Sequence, residues 1–552
     1  MTRYQTNQER SHMAQPMSRR IISSLEIIVY VLLATVTLWW LYCAVVFPST
    51  NNNLTLPVFA IILAIIVVVF SSSVRYFVRR LLRFLRHHKW VVFSLMVAWQ
   101  LLTWASFGSV TMGADQESIR QTASNPHVFS DYLSRCPNNV LITYIYWVVM
   151  QIIPSTWPSN SPTLIMQLLS IACVDISIAL MPRILKRISN RVADIAFLLF
   201  IGTFGLTGHI IIVYTDLLTL PLTMGAIYCA IVVLFPRDAE DNVYQNWRCW
   251  QFYALFISFG LLTYLGYQMK PSSIIVTIAF VLVWCVICWG KALLTKALPA
   301  VLALALGMAC AASIFGLAIN QQMQLNYDPS QSYPMSHFMA MGMRDRGGFS
   351  LEDRVNTSKL ASKDEKNAYS IQLIKQRLSD YGVIGYAQFV LQKARNTLED
   401  GTFSFGHWDA LYIYDEQADQ GFLSDFQKTR LARFIRSLYD TERVRYGIIS
   451  TIQQLSYILM IMGILFLSLS MGLQRIQDHR SSTLFLAKHK ENVMWWLSIA
   501  IIGSLAFLML FESGRSKYII QFMPTYICLS SLGWSALITK YIKKDFSQCL
   551  SS

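Results

Sequence analysis

The chain has 552 residues, of which 54% are hydrophobic and 14% charged, and its mean hydropathy is +0.42. These proportions exclude a single soluble globular domain and indicate a membrane protein. The 46 Lys+Arg against 31 Asp+Glu give a net charge of +15; basic cytosolic loops account for that excess, and no nucleic-acid partner is expected.

A helix needs about 20 apolar residues to cross the hydrocarbon layer. Windows of that kind occur at Leu25–Phe47, Leu54–Val74, Trp90–Val110, Thr163–Pro182, Val192–Tyr214, Leu217–Phe235, Phe252–Met269, Ile274–Trp289, Ala297–Asn320, Ile448–Gly472, Val493–Phe511 and Pro524–Tyr541. The expected fold class is an all-α polytopic membrane protein with about 12 transmembrane helices. The first window follows Arg19-Arg20 and lacks a small-residue cleavage site, so it reads as a retained helix with its amino end in the cytosol. Alternation then puts both termini inside. On this map 25 Lys and Arg fall in inner stretches, whereas the short outer loops hold only Arg120, Arg135, Lys270, Arg515 and Lys517. One apolar stretch, Val140–Ile153, is too short to cross and ends at Pro154. It reads as a partial helix packed against the bundle from outside, which is tolerable only where protein buries it or a wet cavity adjoins it.

Four regions follow. Residues 1–89 form an amino-terminal hairpin with the basic cytosolic strip Arg75–Lys89. Residues 90–320 form a transmembrane core containing the exterior loop 111–139. Residues 321–447 form an exterior, mainly helical domain, and residues 448–552 hold the last helices. Within the third region Asn367–Leu378 and Ile384–Leu398 show helical apolar spacing interrupted at Tyr381-Gly382, and Leu423–Leu438 is a further amphipathic stretch. Asp175 and Asp194 read as inner-face partners for the Arg183–Arg191 cluster. Of the ten cysteines, seven lie in apolar runs, Cys249 and Cys549 in cytosolic stretches and only Cys136 outside, so no disulfide framework is expected.

The candidate chemistry lies at exterior junctions. In Gly113-Ala-Asp-Gln-Glu117, Asp115 follows a span and has Glu117 as an acidic neighbour; a carboxylate so placed can serve as a general base, and it can equally cap the next helix. Asp216 in Val213-Tyr-Thr-Asp216 is a membrane-edge acid or a simple turn cap. Lys270 opposes the charge rule, either by snorkelling or by facing a phosphate. Phe511-Glu-Ser-Gly-Arg-Ser-Lys-Tyr518 puts Arg515 and Lys517 in one short loop, where they bind headgroups or a phosphate leaving group. His337 is more often structural than catalytic in such a setting. No Walker loop, Rossmann fingerprint or metal-ligand spacing occurs; no cofactor is indicated, and a divalent cation is left open.

Taken together, Gly113-Ala-Asp115-Gln116, Cys136-Pro-Asn-Asn139, Tyr214-Thr-Asp216, Lys270-Pro271 and Glu512…Arg515…Tyr518 resemble the junction motifs of GT-C membrane glycosyltransferases. The resemblance is in particular to bacterial relatives of the protein O-mannosyltransferase and aminoarabinose transferase families. The resemblance spans roughly Trp90 to Tyr541. It implies a GT-C-like bundle and transfer of a hexosyl or pentosyl sugar from a polyprenyl-phosphate carrier to an exterior glycan, lipid or protein acceptor at the cell envelope. It further implies Asp115 as base, Asp216 as its orienting partner, and Glu117, Lys270, Arg515, Lys517, Tyr518 and His337 as substrate-binding residues, with membrane lipids as partners. Two departures stand beside it: an extra amino-terminal hairpin, and a 321–447 region without matching motifs. A polysaccharide polymerase or ligase would share the exterior loop and lipid-linked donor, and would use Arg344, Arg346 and His337. A lipid-linked glycan transporter should carry mid-span charges or broken helices, of which the windows are almost free.

The topology makes a direct prediction. In intact cells, cysteine placed at Ser118 reacts with an impermeant thiol reagent and cysteine at Ser482 does not; the reverse pattern would move the candidate site to the cytosol.

Overall fold

The computed structural model describes residues 2–47, 71, 76, 80, 83–110, 114–236, 243–323, 325, 328–345, 347–405, 421–477 and 485–548. The expected span Leu54–Val74, and Arg346, lie essentially outside them. The described chain is 82% helical and contains no strand, as an apolar chain in hydrocarbon must be if each backbone amide is to be paired within its own segment.

In chain order the main helices are α1 (Thr2–Val46), α2 (Lys89–Phe107), α3 (Ala114–Ser124), α4 (Val140–Ile152), α5 (Ser161–Leu185), α6 (Asn190–Phe204) and α7 (Leu220–Leu234). They continue with α8 (Trp250–Met269), α9 (Ile274–Ile287), α10 (Leu298–Ala318), α11 (Met335–Met341), α12 (Leu351–Ser358) and α13 (Lys363–Leu398). The last are α14 (Arg430–Ser437), α15 (Tyr446–Gln477), α16 (Phe485–Leu510) and α17 (Met523–Gln548). Among the described residues, eight helical stretches are long and apolar enough to cross a membrane. Helices α6, α9 and α17 cover three further expected spans, and α4 is the short partial helix ending before Pro154.

One expected span is corrected. Val192–Tyr214 is not a single helix: α6 stops at Phe204, and Gly208–Ile211 form a 3-10 turn. Thr207 Oγ1 accepts from the His209 amide at 3.3 Å, His209 Nε2 meets the Phe403 carbonyl at 3.0 Å, and the Phe405 ring fills the space where a side chain at Gly208 would stand. Apolar composition alone does not see this break, because the irregular backbone is buried by a distant loop rather than exposed to lipid.

The 321–447 region is also more closely joined to the bundle than a domain resting on a membrane. Leu398, Phe403, Phe405, Ile435 and Tyr439 belong to the same hydrophobic core as the spans. Helix α13 does break at Gly382 (φ +60°), whereas the Leu423–Leu438 stretch divides into Ser424–Gln427 and α14, with Thr429 capping the latter. The nine described cysteines are free thiols. Asp194 pairs with Arg86 at 3.2 Å rather than with the Arg183–Arg191 cluster, and Asp175 lies near Gln100 within the bundle, because both acids face neighbouring helices and not their own carboxy-terminal turns.

Helix contacts in lipid depend on small residues that let backbones approach, since burial of apolar surface gives no net drive there. A β-carbon on Gly260 of α8 would overlap the Leu304 carbonyl of α10, one on Gly307 would overlap the Ile257 carbonyl, and one on Gly533 of α17 would overlap the Gly463 carbonyl of α15. Gly307→Ala and Gly533→Ala should therefore each lower thermal stability in detergent, by an overpacking cost of about 1–3 kcal/mol. Gly316→Ala, with nothing within 4 Å of the added carbon, should leave the unfolding temperature unchanged, and equal tolerance at all three sites would refute the close-packing account.

Candidate functional site

Two ends of the bundle differ in character. At one, Arg86 meets Asp194, Arg183 lies over the Trp90 ring, and Arg191 reaches Thr539. At the other, the junctions α6–α7, α8–α9 and α16–α17 come together with loop 398–405 and helices α3 and α11. They enclose a cavity of about 430 Å³, within the range of about 300–1,000 Å³ usual for small-molecule sites.

Asp115, Asp216, Arg515, Lys517, Tyr518 and His337 all line this cavity. Asp115 is exposed in the first turn of α3, where the free amides of the helix start favour negative charge. Tyr214 donates its hydroxyl to Asp115 at 3.3 Å. Tyr132 lies near the same carboxylate and is held by Asn139 Nδ2 at 2.6 Å. Burial holds both phenols well above their ordinary pKa, and the Asp115 charge adds to it, so each remains a donor. The Cys136-Pro-Asn-Asn139 motif thus acts by fixing Tyr132. The Cys136 thiol, pushed up to about 12 by burial and by the nearby Asp115 charge, stays neutral.

Asp216 is 6% and Lys270 7% exposed, and they form an ion pair at 2.6 Å. Lys270 stands behind the wall rather than in it. Burial pushes the Lys270 ammonium down, but Asp216 with the neighbouring Tyr518 and Glu512 outweighs that, and the net direction is up. Because its folded pKa is raised, the stability it contributes is intact below the ordinary lysine value and is lost only as pH rises through the folded value. Its ammonium also lies over the rings of Tyr518 (4.7 Å) and Tyr214 (5.5 Å), and Lys517 lies over the same two rings at 5.4 and 5.7 Å. Two ammonium groups and two phenol rings therefore form one cation–π cluster along a cavity wall.

His337 is 3% exposed and stacks on Tyr333 with ring centroids 4.6 Å apart. Burial pushes it down to about 4, only partly opposed by Asp353, so it is neutral at pH 7. Glu117 is not brought to the cavity: it makes a two-pronged ion pair with Arg120 at 2.6 and 2.9 Å. Arg344 pairs with Glu352 at 2.6 Å, also away from the cavity.

Three residues that the sequence reading did not place in the site line it as well. Glu512 is half-buried in the wall, and burial raises its carboxyl above the usual range against the pull of Lys270 and Lys517. Its position in the Arg515 loop was the available signal. Arg354 and His209 also line the cavity; the Gly-Leu-Thr-Gly run before His209 was the only trace of that break. The floor is strained. Phe403 and Ser404 are non-glycine residues in the left-handed region (φ 60° and 61°), held there by Asp400, which accepts from the Thr402 and Ser404 amides at 2.8 and 2.7 Å. Strain of this kind persists where surrounding structure over-determines it, and it concentrates at functional sites. Among the described residues no group of three or more His, Cys, Asp or Glu comes together as metal ligands.

A helical multi-pass membrane protein with one polar, aromatic-walled cavity at a bundle end is what these features describe. The family model for a conserved hypothetical integral membrane protein matches residues 16–538, and the chain belongs to that family. No curated protein and no solved structure matches it.

Breaking a buried ion pair by removing one partner leaves an uncompensated charge and typically costs about 3–5 kcal/mol, whereas replacing both groups with apolar ones is often neutral. Lys270→Met should accordingly lower the unfolding temperature sharply, and Lys270→Met combined with Asp216→Leu should recover much of the loss. A double variant no better than the single one would show that the pair does not act as a unit.

Proposed function

We propose that the protein is a membrane glycosyltransferase that moves a sugar from a polyprenyl-phosphate carrier to an acceptor hydroxyl, with its cavity facing the exterior. The observation that supports this reading is the convergence, from loops far apart in sequence, of a tyrosine-held carboxylate and two cations on one cavity. The partition of basic residues, 25 against five in short loops, supports the outward orientation of the cavity end.

In this reading the acceptor oxygen attacks the anomeric carbon as the bond from that carbon to the phosphate oxygen breaks. Asp115 takes the hydroxyl proton, and the leaving phosphate carries away the bonding electrons. Its developing charge falls against Arg515 and Lys517, which a low-dielectric aromatic wall makes more effective than they would be in water. Direct displacement inverts the anomeric centre. Lys270 acts through Tyr214, Tyr518 and Asp216, holding the wall in place rather than touching the donor. Glu512, whose carboxyl is raised, is the alternative proton acceptor. A polymerase or ligase reading draws on His337 and Arg354 at the same cavity; a product of many added units rather than one would favour it.

With purified protein and a polyprenyl-phosphate sugar, Asp115→Asn should cut transfer by roughly two to four orders of magnitude while leaving donor binding in place. Arg515→Lys keeps the charge but loses two-oxygen contact, so it should weaken donor binding. Near-normal turnover in Asp115→Asn, with a collapse in Glu512→Gln, would transfer the base role to Glu512. Loss in neither would remove the reading.

A further inference from the structure

The opposite, basic end of the bundle carries a second built site. A cavity of about 120 Å³ lies between α7, α9, α16 and the turn before α10, and one of about 400 Å³ between residues 245–248 and Thr295–Lys296; the two share Gln245 and Lys296 as wall residues. Arg248 borders the larger one, with its guanidinium over the Trp247 ring at 5.5 Å, and His489 borders the smaller, fixed by the Leu234 carbonyl at 3.1 Å. No carboxylate lines either cavity among the described residues.

Two features point to a ligand. Trp284 lines the smaller cavity, is 3% exposed, and its indole N–H has no hydrogen-bond partner among the described residues; a buried donor left so is costly unless an acceptor arrives. Lys296, half-buried, belongs to the π-helical turn Leu293–Ala297, a widened form that is rare and recurs at functional sites.

The level in the membrane identifies the acceptor. Trp247, Trp250 and Trp289 are 38%, 73% and 71% exposed around the cavities, and exposed tryptophans mark the headgroup layer. From there Leu294 of the π-helical turn and Leu298, Leu302 and Leu306 of α10, all exposed and four residues apart, form one apolar stripe. A phosphate at headgroup depth with a hydrocarbon chain below it matches charge, donor and stripe together. Basic pockets between spans recognise anionic lipid headgroups in this way.

We propose that this end of the bundle binds an anionic glycerophospholipid, its phosphate between Arg248, Lys296 and the Trp284 indole and one acyl chain on the α10 leucine stripe. A soluble phosphate compound shares the headgroup chemistry but makes no use of the stripe.

Native mass spectrometry of the delipidated full-length protein, given equal phosphatidylglycerol and phosphatidylcholine, tests the assignment. Wild type should retain phosphatidylglycerol in preference by roughly tenfold, as expected for two cations near a headgroup. The double variant Arg248→Gln, Lys296→Gln should lose the preference, and Arg248→Lys, Lys296→Arg should keep it, which separates lost charge from lost fold. Trp284→Phe should reduce it several-fold. Absence of preference in wild type, or its survival in the Gln variant, would overturn the proposal. Displacement of the lipid by millimolar glycerol phosphate would overturn it in favour of a soluble ligand.

Discussion

The Asp216–Lys270 ion pair is the interaction on which the cavity end rests. Each charge alone would be expensive at a site less than a tenth exposed, so each is tolerated only because the other is 2.6 Å away. Asp216 precedes α7, Lys270 follows α8, and the Lys270 ammonium also lies over Tyr518, which precedes α17. One pair thereby fixes three junctions that hydrophobic contacts, being non-directional, would leave free to slide. Tyr214 extends the constraint to Asp115.

Around that pair, irregular backbone is concentrated where protein can satisfy it. The turn after α6 is covered by Phe405, and the 398–405 loop that carries Phe405 is tied by Gln454, whose amide accepts from Gly401 at 2.6 Å and donates to the Ala44 and Glu399 carbonyls at 2.7 and 2.8 Å. Helices α1 and α15 thus hold a loop that shapes the cavity floor. On the far side, Gly514 donates to the Gly347 carbonyl at 2.7 Å, and buried Lys393 donates to that of Gly342 at 2.9 Å. The segment around α11 is in this way joined to the Arg515 junction, and the segment between the spans completes the site.

The two ends divide the electrostatic work. One places carboxylates and cations in a shared, aromatic-walled cavity suited to a substrate with separated charge. The other, among the described residues, lines its cavities with cations and no carboxylate at the depth of exposed tryptophans, the arrangement on which the lipid proposal rests.

Sequence alone determined the membrane character, the helical class and most span positions, because twenty-residue apolar windows leave hydrocarbon no other backbone solution. It also marked Asp115, Asp216, Arg515, Lys517, Tyr518 and His337, since charges and polar groups at span ends stand out against an apolar background. Tertiary structure alone decided which of them meet. Glu117 is taken by Arg120, Lys270 is turned onto Asp216, and Glu512 enters the wall. The break after Phe204 depends on a ring some 200 residues away in the chain, and the cavity at Trp284 on α7, α9, α16 and the turn before α10. Hydropathy is a property of a window and fixes what a segment must bury, whereas the partner of a charge is set by packing between segments, which no local pattern encodes.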